Sequence, residues 1–141
     1  MAQVGIDPAW GPNYDERFDY RVDILRRRNP ITAKAPDGTQ LAQSERALLV
    51  DEQNHGLVFY LPVGDIDMAK LAKIEGRASH CPYKGVATYW ALAGGDPEHP
   101  VAWAYETPYP EVSQLAGHIA FYQDRVTVSL GVAIFPHPKK G

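Results

Sequence analysis

The densest run of chemically capable side chains is Ser79-His80-Cys81-Pro82-Tyr83-Lys84-Gly85, followed by Tyr89-Trp90 and then by Trp103 and Tyr105. Pro82 biases Cys81 toward extended backbone, and Gly85 permits a turn or a close backbone approach to a ligand. Lys84 can stabilise a thiolate or an anionic ligand if the turn brings it round, since a cation beside a thiol is what lowers its pKa from about 8.5. Cys81 and Lys84 are therefore the candidate catalytic residues. The plainer role of Cys81 is that of a small buried hydrophobe, and with one cysteine in the chain no redox pair forms. His80 adjoins Cys81, but neighbouring side chains on extended backbone point to opposite faces. A base for the thiol would have to be His55 or His118, brought in through the fold.

Tyr89, Trp90, Trp103 and Tyr105 fall on two short strand-like stretches. The period of two separates Tyr89 from Trp90 and puts Trp103 with Tyr105 on one face. They form either an aromatic core or the walls of a pocket. As walls around Lys84 they suit a planar or sugar-containing small molecule carrying negative charge. Five histidines are scattered without metal-site spacing, so no metal site is expected, and no cofactor is identifiable. Asp65 and Asp67 resemble a magnesium-holding acid pair and equally suit the first turn of a helix. There is no glycine-rich phosphate loop, no Gly-x-Ser-x-Gly elbow and no dinucleotide fingerprint.

Twelve glycines and twelve prolines in 141 residues exceed the average of about 12% for the two together. Between them lie short stretches rich in Val, Ile, Thr, Tyr, Phe and Trp, the pattern of a mainly β domain. Strands are expected at 20–26, with Tyr20, Val22 and Ile24 on one face, at 46–52 and at 57–61, the last covered on both sides. Residues 31–35 and 39–43 read as a hairpin about Pro36-Asp37-Gly38. Strands at 86–91 and 101–105 pair across the loop from Gly94 to Pro100, and two more follow at 118–122 and 125–130. Two short helices are expected, one at 65–72 with Asp65 as N-cap and one at 110–115 with Pro110 in its first turn and Gly117 beyond its end. Residues 1–18 read as an irregular arm, 19–135 as the single compact domain and 136–141 as a tail.

A formal net charge of −3 gives no basic field for duplex nucleic acid; only Arg26-Arg27-Arg28 is locally dense. The longest apolar runs are about five residues, against about 20 for a spanning helix, so no membrane association is expected. The first residues lack a signal-peptide pattern, which with the lone cysteine makes the cytoplasm the expected location. An exposed strand edge, or the arm around Trp10, offers a route to a homodimer.

Several segments in order resemble a known family: Ser44-Glu45-Arg46-Ala47 with Glu52, Phe59-Tyr60-Leu61-Pro62 with Asp65, and Cys81-Pro82-Tyr83-Lys84-Gly85 with Ala87 and Tyr89-Trp90. Ala102-Trp103-Ala104-Tyr105 with Pro108, and Ala120-Phe121-Tyr122, complete the pattern. Over roughly residues 31–129 the chain looks like the small bacterial and fungal β-tent family, catalogued as a domain of unknown function and also as nucleotidyltransferases. The resemblance implies curved antiparallel sheets leaning together. It also implies convergence of Arg46, Glu52, Tyr60, Lys84, Trp90, Trp103 and Tyr105 on the Cys81 loop. The leading expectation is a small-molecule-binding β domain whose cleft suits an anion. Its alternatives are an enzyme, using Cys81 or transferring a nucleotidyl group with Glu52 and Asp65 on magnesium, and a non-catalytic homo-oligomeric interaction module.

Overall fold

The structure, a computed structural model, describes residues 20–53 and 55–133. The arm at 1–18 with Trp10, the tail at 136–141 with His137, and Asn54 of the expected turn before Gly56 lie outside the described residues. Among the described residues ten strands form two antiparallel sheets, giving the mainly β, helix-poor compact domain that the punctuation pattern implied. In chain order they are β1 (Val22–Arg26), β2 (Ile31–Lys34), β3 (Gln40–Ser44), β4 (Leu48–Glu52), β5 (Gly56–Pro62), β6 (Leu71–Cys81), β7 (Gly85–Leu92), β8 (Ala102–Ala104), β9 (His118–Phe121) and β10 (Thr127–Leu130). The larger sheet runs β1-β4-β5-β9-β8-β7-β6 and the smaller β10-β2-β3. No helix among the described residues is long and apolar enough to cross a membrane.

Strict alternation divides the residues of the large sheet between two cores. Leu61, Trp90, Ala102, Ile119 and Phe121 face the small sheet and bury against its Ile31, Ala33 and Leu41. Their sequence neighbours Tyr60, Ala120, Trp103 and Tyr89 face the other way, where Leu48, Val50 and Tyr105 lie. That second face is roofed at one end by the 3-10 segment Pro110–Leu115, whose Val112 and Leu115 are fully buried. Pro110 occupies its first turn and Gly117 follows it at φ 75°, as expected from the sequence.

The hairpin of β2 and β3 and the pairing of β7 with β8 match the sequence reading. The helix expected over 65–72 does not form. Two single 3-10 turns, Val63–Asp65 and Met68–Lys70, take its place, and Leu71 already begins β6. Asp65 caps nothing; its carboxylate accepts from Ser44 Oγ at 2.6 Å and pairs with Arg46 at 2.9 Å. β6 lacks the alternation that announces a strand because it is an edge, largely solvent-exposed, and its register jumps between Lys73 and Ala78 around Gly76 at φ 75°. β5 is central, between β4 and β9, but covered on both sides only at its far end. Tyr60 and Leu61 are buried while Leu57 is 55% exposed.

Candidate functional site

The face of the large sheet opposite the small one opens into a cleft of about 600 Å³. Its floor and walls follow from the period of two. Val50 and Glu52 come from alternate positions of β4, Tyr60 from β5, Tyr89 from β7, and Trp103 and Tyr105 from the β8 segment. The β6–β7 turn closes one end. Cys81 pairs with Gly85 as the last rung of that hairpin, leaving Pro82, Tyr83 and Lys84 as its loop. Gly85 sits at φ 125°, a conformation that side-chain-bearing residues rarely adopt, with Thr107 O 3.4 Å from where a Cβ would stand.

This turn folds Lys84 inward. Its side chain is 9% exposed and its ammonium pairs with the Glu52 carboxylate, itself 6% exposed. Tyr20, just ahead of β1, donates its phenol to the other Glu52 oxygen and stacks flat on Tyr83, ring centroids 3.6 Å apart and 10° from parallel. His55 Nε2 lies 3.6 Å from the same carboxylate from the rim. One buried carboxylate thus gathers a cation, a phenol and an imidazole. Burial of an ion pair is tolerated when the remaining lone pairs are also satisfied, as Tyr20 does here.

Much of the aromatic wall is hydrogen-bonded within the protein. Trp103 Nε1 donates to Tyr60 Oη at 3.1 Å, with their rings edge to face. Tyr89 shares a hydrogen bond with Ser79, and His80 Nε2 bonds Tyr109 Oη at 2.7 Å. Tyr105 is 7% exposed, its ring faces the Lys84 ammonium at 5.6 Å, and its hydroxyl has no hydrogen-bond partner among the described residues. No unbonded side-chain polar atom of the described residues is sealed from solvent, so this hydroxyl opens into the cleft. Burial, the first cause in each case, pushes the Tyr20, Tyr60 and Tyr105 phenols well above their ordinary pKa. The Glu52 carboxylate adds to the rise in all three.

The structure therefore brings Glu52, Tyr60, Lys84, Tyr89, Trp103 and Tyr105 together with Cys81. It separates two residues that the resemblance placed with them. Trp90, one step from Tyr89, points into the core against the small sheet, with Lys73 Nζ 5.7 Å from its ring. Arg46 lines a different groove and pairs with Asp65. Glu52 and Asp65, the acids of the nucleotidyl-transfer alternative, each face their own cation and do not share a site. No group of three His, Cys, Asp or Glu side chains able to hold a metal occurs among the described residues. Tyr20 and Tyr122 line the cleft without having been singled out, and of the two histidines named as a base for the thiol His55 lines it while His118 does not. For Tyr20 the signal was present, because alternation put it on the face of Val22 and Ile24, which pack on the cleft side.

Residues 23–131 match the family described as a domain of unknown function (DUF427), a span that takes in nine strands whole and all but the first residue of β1. Comparison with curated proteins gives no match.

Proposed function

The chain belongs to the DUF427 family, and because that description assigns no activity we propose a function from the cleft itself: the domain binds a small, planar, polar molecule between its aromatic walls. The observation that carries this reading is Tyr105, more than nine-tenths buried with an unpartnered hydroxyl opening into a cleft of ligand size. The hydroxyl opens into the cleft, so it is a polar point at which a bound molecule can replace solvent as the hydrogen-bond partner. A ligand that bonds this hydroxyl while stacking on Trp103 or Tyr89 gains its stabilisation chiefly from the apolar area it buries, with the hydroxyl fixing its orientation. Expectation of an anion rested on two cations, Lys84 and Arg46, in one cleft, and Arg46 lines a different groove. Lys84 is committed to Glu52, so the pair presents little net charge and the proposed ligand is uncharged, recognised by stacking and neutral hydrogen bonds.

A thermal-shift series on the full chain tests this, comparing neutral nucleosides and other planar heterocycles with sugar phosphates and organic acids. Stabilisation by a planar neutral class, lost in Tyr105→Phe, is the expected result. Stabilisation by anions alone, or equal stabilisation of Tyr105→Phe, overturns the neutral-ligand reading. No stabilisation by any class overturns small-molecule binding.

A further inference from the structure

We infer that a second groove, where β1 ends, is a binding site for a small phosphate-bearing anion. It lies apart from the aromatic cleft, encloses about 670 Å³, and is lined by Arg26, Arg27, Arg28 and Arg46 with one acid, Glu45. That volume falls within the range of about 300–1,000 Å³ usual for small-ligand sites. Four arginines line it, one of them paired with Asp65, in a chain whose formal net charge is −3. Such a concentration against the overall sign needs a reason, because like charges held together raise the energy of the empty site.

The groove is built on fixed backbone. Arg26 pairs with Leu48 at the end of the β1–β4 ladder, and Arg27 N extends it one step by donating to Ala47 O at 2.9 Å. Ala47 and Leu48, both buried, form its floor. Arg46 is aimed by two bonds to Asp65, from Nε at 3.3 Å and Nη2 at 2.9 Å. Asp65 is itself held by Ser44 Oγ, which also accepts from Arg46 N at 3.0 Å. Two of the five guanidinium N–H donors are thus used, and the rest are oriented and available. Among the described residues, Arg26 and Arg27 have no ion pair or hydrogen bond from their side chains. Gln114 and the His118 ring, whose Nδ1 donates to Ala116 O at 3.0 Å, add further polar groups. Planar forks of this kind match phosphate oxygens two at a time, which a lysine cluster does not. The overall negative charge of the chain favours a compact phosphate compound over a nucleic-acid strand.

The test is calorimetric titration of the full chain with inorganic pyrophosphate at low ionic strength, repeated on the Arg26→Gln/Arg27→Gln double variant. Both side chains are exposed and unpaired, so the variant is expected to melt with the wild type. Binding that weakens about tenfold or more in the variant, as the loss of one or two charge-assisted bonds implies, is the expected result. Absence of binding, or equal binding by the variant, overturns the inference. A single-stranded oligonucleotide that binds more tightly than pyrophosphate, and is weakened by the same substitutions, also overturns it and makes the groove a nucleic-acid contact.

Discussion

Lys84 reaches across the cleft to Glu52, although β4 and the β6–β7 turn lie far apart in strand order. Between β4 and β7 come β5, β9 and β8. Four strand spacings make about 19 Å on a flat sheet, beyond the combined reach of the two side chains. The contact exists because the sheet curls around the cleft and the hairpin turn bends over it. The pair therefore ties the two ends of the curl, and Tyr20 stacked on Tyr83 repeats the tie beside it.

Glu52→Gln or Lys84→Met should each destabilise the domain by about 3–5 kcal/mol, because either leaves a buried charge without its partner. The double variant, Glu52→Gln with Lys84→Met, should lose much less than the sum of the singles. Urea denaturation of the four proteins measures this as a coupling energy. Additive losses would mean that the two side chains are solvated independently.

Lys84 was legible in the sequence because a proline and a glycine bracket it, and bracketing of that kind has a local cause. Glu52 is thirty-two residues away and shows no local signal beyond ending an alternating strand; only the resemblance brought it to the site. Arg46 shows the opposite case. It lies among the residues that carry the resemblance, yet its place is decided by Asp65, nineteen residues on, and by the direction in which the chain leaves β3. Strands with one buried face, such as β4 and β7, announce themselves by alternation. β6 has no such face over most of its length, so nothing in its composition separates it from a loop.

Gly85→Ala should cost about 1–3 kcal/mol, since it forces a side-chain-bearing residue to φ 125° at the rung that sets the hairpin. Gly64→Ala is the control. Gly64 has neither a positive φ nor an atom within 4 Å of the added Cβ, so its melting temperature should stay close to wild type. Equal melting of the two variants would show that the β6–β7 turn relaxes without strain.

Arg46 and Ser44 hold the Asp65 carboxyl below the usual carboxylate range. A carboxyl with a depressed folded pKa contributes stability that is present above its unfolded value, about 3.9, and disappears as pH falls through the folded value. Arg46→Gln should therefore be less stable than wild type at neutral pH, with the gap closing below about pH 4. Thermal melts from pH 7 to 3 check the direction. A gap that stays constant with pH would assign the effect of Arg46 to packing of its stem instead.

Tyr60 and Tyr105 should not ionise in the folded protein at pH values where exposed tyrosines do. Burial raises both phenols, so the neutral form is favoured in the fold. The sign follows: this contribution is complete below the unfolded value of about 10 and is lost as pH rises toward the folded values. Ultraviolet difference spectra should accordingly show a fast reversible titration of fewer than the eight tyrosines in the chain. The remainder should appear only as circular dichroism reports unfolding. Tyr105→Phe should remove amplitude from the late phase and leave the early one unchanged. A planar ligand that hydrogen-bonds the Tyr105 hydroxyl should push the late phase to still higher pH, because it must dissociate before that phenol can ionise. If the Tyr105 amplitude instead belongs to the early phase, the hydroxyl is already open to bulk water and the unpartnered group that supports ligand binding loses its force.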